Sequence, residues 1–124
     1  MPHGIIILSW NERSGLDILS EHPQNIHSKV TINTLLQIFN MHTFCESEGF
    51  VSLTSDEVNF GSLFLGERIN CYIVLLLTIL ENPEDFEDIL VENAPIILEH
   101  LKKKTLDDVL PEIFESFKNR EDSI

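Results

Sequence analysis

The chain has 124 residues, enough for one domain with its own core, and its 43% hydrophobic content excludes wholesale disorder. Eight Lys and Arg stand against 21 Asp and Glu, a formal net charge of −13. Nucleic acids and anionic lipid surfaces are held chiefly through cationic side chains, so neither suits this chain, and the charge favours a basic partner.

Residues 4–10, GIIILSW, are a short β-branched run and read as a strand covered on both faces. NERSG follows as a hairpin loop. Residues 16–21, LDILSE, read as the return strand, ending before His22 and Pro23. Over residues 31–44 the period changes. Ile32, Leu35, Leu36, Phe39 and Thr43 recur at three- and four-residue spacing, which predicts an amphipathic helix capped by Ser28 or Thr31 and stopped near Gly49. The period then falls to two. Val51 and Leu53 alternate with Ser52 and Thr54, Ser55–Asp56–Glu57 reads as a turn, and Val58 and Phe60 precede Gly61, which suggests a bulge or bend.

Residues 72–80 are the greasiest stretch. A spanning helix needs about 20 apolar residues, and this run is only nine residues long, Thr78 included, bracketed by Asn70 and Glu81. Asn82–Pro83–Glu84–Asp85 is a helix start, with a cap residue, a first-turn proline and acids toward the positive dipole end. A helix cannot fill residues 72–80 and begin again at 82, so the run reads as a strand. It and residues 5–8 are the two continuously apolar strands, predicted as central neighbours. The three alternating strands belong toward the edges. Phe86, Leu90, Ala94, Ile97 and Leu101 then hold a helical stripe ending at three lysines, with Pro95 expected to kink or split it. Thr105-x-x-Asp108 resembles a capping box for a last helix faced by Val109, Leu110, Ile113, Phe114 and Phe117, and Pro111 puts its first turn in question. Residues 120–124 are expected to fray. The order is ββ-α-βββ-α-α in a single domain, residues 1–124.

Motifs of catalysis are missing from the sequence. Neither a Gly-x-Ser-x-Gly elbow nor a phosphate loop occurs, and GSLFLG shares only glycine spacing with the latter. His42-x-x-Cys45 is the one close pair of metal-ligand types, whereas structural zinc takes four ligands. A helix-end histidine and a packed cysteine are the simpler reading, and no metal or cofactor is expected. Cys71 reads as a small hydrophobe. His22 and His27 flank a loop and read as solvated. Glu84, Asp85, Glu87 and Asp88 read as a solvated face matched to the helix dipole. Trp10, the single tryptophan, ends a central strand as either core or binding anchor. With no charged leader at the N-terminus and no disulfide pattern, a reducing, cytoplasmic setting is expected, and no enzyme.

The stretches GIIILSWNERSGLDILSEHP, VTINTLLQIFNMHTF, FVSLTSDEVNFGSLFLGERINCYIVLLLT and NPEDFEDILVENAPIIL, in that order, resemble a longin domain: opening hairpin, first helix, strand meander and following helix. The resemblance covers nearly the whole chain and is one of topology, since that family has no catalytic signature. It implies an α+β fold, a five-stranded, mainly antiparallel sheet with one helix on one face and two on the other. It also implies a non-enzymatic, dimerising scaffold in vesicle trafficking or small-GTPase regulation, partnered by another longin or roadblock module or by a GTPase. With no SNARE segment or anchor visible, a free-standing module is expected. The implied interface is the first helix with its neighbouring edge strand: Thr31, Asn33, Thr34, Gln37, Ile38, Met41, Phe50, Ser52 and Thr54, with Trp10 beside them. The other reading is a ligand-binding sensor of PAS, GAF or profilin-like architecture, with a pocket near Trp10 and His42.

Overall fold

A computed structural model describes residues 2–13, 15–43, 49–54, 58–66 and 69–122, with side chains through Phe117. Five strands, β1 (Gly4–Asn11), β2 (Gly15–His22), β3 (Gly49–Thr54), β4 (Asn59–Phe64) and β5 (Tyr72–Leu76), form one antiparallel sheet in the order β2-β1-β5-β4-β3. Three helices, α1 (Ile32–Thr43), α2 (Glu87–Lys103) and α3 (Leu106–Asp122), complete an α+β fold. The two continuously apolar strands are indeed central neighbours, with Ile6 opposite Val74.

Side-chain alternation divides the core in two. Ile5, Ile7, Leu63, Ile73 and Leu75 pack with Leu90, Ile97, Leu110 and Phe114 of α2 and α3. Ile6, Leu8, Phe60, Tyr72 and Val74 face the other way, onto Leu35 and Ile38 of α1. Buried on both faces, residues 5–8 of β1 and all of β5 leave no position for a charged or solvent-seeking side chain, and this accounts for their sequences. Asn82 caps as expected: its side chain accepts from the Glu84 N–H at 3.2 Å and starts the 3₁₀ turn Pro83–Phe86 that leads into α2. Thr31 caps α1, its hydroxyl accepting from the Thr34 N–H at 3.1 Å. At the third cap the expectation fails, because the Thr105 hydroxyl turns to His100 Nδ1 at 2.8 Å while the Asp108 N–H bonds the Thr105 carbonyl.

Several expectations are corrected by packing. The central strand stops at Leu76, four residues short of the apolar run, and Leu80 is 94% exposed. The Asn59 amide ends it by donating to the Thr78 and Glu81 carbonyls at 2.7 and 2.6 Å, which folds residues 78–81 into a turn. Strand β4 alternates in sequence yet is buried at every position, lying inside the sheet between β5 and β3. Its small and polar residues are accommodated individually: Ser62 bonds His42, Asn59 ties down the turn, and Gly61 admits an aromatic ring. Gly61 makes no bulge, since both of its ladders run through it in register. A Cβ there would sit 2.8 Å from the Phe50 ring. The register shift falls instead between Ile7 and Leu8 against β2.

Pro95 and Pro111 lie inside unsplit helices. Each removes the N–H that would bond the carbonyl four residues back, on Val91 and Asp107, and both of those residues are exposed, so water can take the N–H's place. In α1 the buried side chains are Leu35, Ile38 and His42, while Ile32 is 61% exposed. The helix is rotated from the stripe expected, because a histidine rather than an aliphatic residue closes its core face.

Candidate functional site

Two places among the described residues combine a cavity or groove with aromatic or exposed apolar side chains. The first lies at the end of β1. Asn70, with φ 55°, donates from Nδ2 to the Trp10 carbonyl at 2.6 Å and accepts from the Trp10 N–H at 3.1 Å. This side chain extends the sheet ladder where β5 has not yet begun, and it fixes the backbone under the indole. Trp10 stacks on Phe39 of α1 at 4.2 Å and 15°, Phe39 meets Tyr72 edge-on at 6.0 Å, and Tyr72 stacks on Phe64 at 4.6 Å. A cavity of about 400 Å³ opens among these four rings, with His42 and Glu12 also in its wall.

His42 is 2% exposed. Its Nε2 lies 2.9 Å from the Ser62 hydroxyl, and Nδ1 has no hydrogen-bond partner among the described residues. Burial pushes this imidazole down to about 4, so it is neutral at physiological pH. Cys45, the other half of the suspected ligand pair, lies outside the described residues, as do Ser55, Asp56 and Glu57. Among the described residues no group of three or more His, Cys, Asp and Glu side chains is placed to hold a metal ion.

The second place is the outer edge of β3, a terminal strand of the sheet. Phe50 pairs with Leu63 and Ser52 with Gly61, so Phe50, Ser52 and Thr54 face the α2 side. A groove of about 460 Å³ runs there between β3 and α2, lined by Phe50, Leu65, Ile69, Val91, Pro95 and Leu98. Ile69 is 45% and Val91 52% exposed.

The interface read from the sequence is thereby divided. Thr31, Asn33 and Gln37 lie exposed on α1 and Thr34 is half-buried beside them. Ile38, 0% exposed, is core and cannot meet a partner in this conformation, and Met41 packs partly against the same core. Phe50, Ser52 and Thr54 are on the opposite face of the sheet from α1, so they do not continue its surface. Trp10 belongs to the aromatic cavity. Ile69 and Val91 escape a reading of the sequence because an apolar residue near a strand or on a helix looks like core. For Asn70 a signal exists, an asparagine between a Gly-containing turn and a strand, where a left-handed residue is favoured.

His27 and the acids resolve more simply. His27 Nδ1 lies 2.6 Å from the Glu21 carboxylate, an ion pair whenever the imidazole is protonated, on a half-exposed loop. Glu84, Asp85, Glu87 and Asp88 sit in the first turns after Asn82, where the helix dipole favours them. Cys71 is fully buried, and burial pushes its thiol up to about 12. In a Cys45→Ser background the folded chain should therefore resist iodoacetamide and react rapidly once unfolded in urea. Alkylation at equal rates in both states would contradict the packing described.

No helix among the described residues is long and apolar enough to cross a membrane. Compared with known families, curated proteins and solved structures, the chain matches none.

Proposed function

We propose that the chain is a non-enzymatic protein-interaction module, a dimerising scaffold that receives its partner along β3 and the adjoining groove. The observation that carries this reading is the coincidence of a terminal strand of the sheet with exposed apolar surface. An edge strand presents unpaired N–H and C=O groups and invites pairing with another chain, and Phe50, Ile69 and Val91 supply alternate side-chain contacts next to it. A net charge of −13 selects for a basic partner. The longin-like topology directs the search to another longin or roadblock module or a small GTPase of a cytoplasmic trafficking system. The interface so placed uses β3 and α2 in place of the α1 surface implied by the resemblance.

Light scattering after size exclusion, on the chain alone and with such modules added, tests this reading. A dimer or a one-to-one complex is expected. Ile69→Asp with Val91→Asp should weaken it by tenfold or more, roughly the 1–3 kcal/mol that two apolar side chains supply at an interface. Both positions are exposed, so the variant should keep its fold by circular dichroism. A chain that stays monomeric and retains no partner, or a double variant that binds as before, would overturn the assignment.

A further inference from the structure

The aromatic cavity lies on the α1 face of the sheet, opposite the face that carries the β3–α2 groove, and has its own chemistry. Trp10, Phe39, Phe64 and Tyr72 line it from β1, α1, β4 and β5, so four elements bring their rings to one point. Aromatic rings carry negative potential on their faces; Trp10 with Phe39 and Tyr72 with Phe64 cover one face each by stacking, and the faces left outside the two pairs attract a cation with little affinity for its hydration water. The charged side chain in the wall is Glu12, exposed at the hairpin end, and no lysine or arginine is among the described lining residues. His42 adds no opposing charge at neutral pH. The acidic chain as a whole draws cations toward any such opening.

We propose that this cavity binds a small organic ammonium ion, of the kind carried by choline or a trimethylated lysine side chain, through the rings of Trp10, Phe39, Phe64 and Tyr72, with the Glu12 carboxylate at the mouth. The volume is consistent: a trimethylammonium group is compact, and about 400 Å³ leaves room for the chain that bears it. Inorganic cations are disfavoured, since Glu12 is the one carboxylate among the described lining residues and a single carboxylate does not replace their water. An anionic ligand meets no cationic side chain among the described lining residues. Neutral His42 lies in the wall without altering its charge.

The sole tryptophan is part of the site and reports on it directly. Choline, trimethyllysine amide and 3,3-dimethylbutanol, the neutral carbon isostere of choline, are titrated into the full chain. Trp10 fluorescence and the ligand N-methyl proton resonances are followed together. Saturable binding of both cations is expected, with Kd on the order of 0.1–1 mM, and their methyl signals should move upfield beneath the rings. The isostere should bind at least about tenfold more weakly. Glu12→Gln, at an exposed position, should weaken the cations about two- to fivefold and leave the isostere unaffected. Tighter binding of trimethyllysine amide would point to a modified protein side chain as the source, and tighter binding of choline to a free ammonium compound. Absence of saturation up to roughly 10 mM, or an isostere that binds as well as choline, would overturn the proposal.

Discussion

Truncating Phe114 to alanine is expected to remove about 3–5 kcal/mol of stability, the usual cost of deleting a buried aromatic ring from a core that cannot collapse around the void. Phe114 is 1% exposed and belongs to the cluster that joins α3 to the sheet beside Leu110 and Phe117. Its ring also meets His22 of β2 edge-on at 5.3 Å. Strand β2 is an edge strand, and its hold on α3 is reinforced by the Ser20 hydroxyl, which donates to Asp107 at 2.5 Å. Loss of the ring therefore loosens a helix and a sheet edge together. Against a total stability of about 5–15 kcal/mol for a domain of this kind, the variant should be only marginally folded at physiological temperature. Urea denaturation should show a lower midpoint with an unchanged slope. Val91→Ala, in an exposed helical position, is the control and should stay within about 0.5 kcal/mol of the parent. A loss below about 1 kcal/mol for Phe114→Ala would mean that α3 is not packed on the sheet as described.

The contrast between these two residues is one that sequence patterns draw poorly. Both are apolar and both sit in helices, so periodicity places each on a stripe but does not say whether anything lies opposite. The α3 stripe of Leu110, Ile113, Phe114 and Phe117 is readable because it is continuous and aromatic, and the continuous apolar runs of β1 and β5 are readable in the same way. Asn82 resolves the ambiguity of residues 72–80 because a cap must be followed by its helix. It cannot say where the strand stops, since Leu77 and Leu80 are equally apolar and only the reach of Asn59 to the Thr78 and Glu81 carbonyls decides it. Strand β4 is misplaced by its pattern for a related reason. Asn59, Gly61 and Ser62 look like solvent-facing residues, and their burial depends on partners far along the chain. The candidate sites are the least legible part. Trp10 stands out for its rarity, yet its cavity needs Phe39, Phe64 and Tyr72 from three other elements, which no local spacing relates.

A large pH effect on the acid side should come from His42, a residue whose role rests on such a distant partner. In the unfolded chain its imidazole titrates near 6.5, and in the fold burial pushes it down to about 4. Above pH 6.5 both states are neutral and the fold loses nothing. As pH falls below 6.5 the unfolded chain takes up a proton that the folded chain refuses, so stability declines until about pH 4, where both states carry it. The whole decline is about 3 kcal/mol from this one side chain. Carboxylates elsewhere add their own acid sensitivity, so the informative quantity is the difference between the parent and His42→Leu with Ser62→Ala. That pair replaces both ends of the 2.9 Å contact with apolar groups, and removing both partners of a buried hydrogen bond is far cheaper than removing one. At about pH 7.5 the double variant should lie within about 1.5 kcal/mol of the parent, and at about pH 4.5 it should be the more stable of the two. Ser62→Ala alone should cost about 1–3 kcal/mol at about pH 7.5, because it strips His42 of the partner on Nε2, and should keep the full acid sensitivity. Parallel stability curves for the parent and the double variant between about pH 4 and 6.5 would show that His42 titrates alike in both states. The imidazole would then have to be solvated, which the Phe64 and Tyr72 rings packed 5.7 and 5.3 Å from it do not allow.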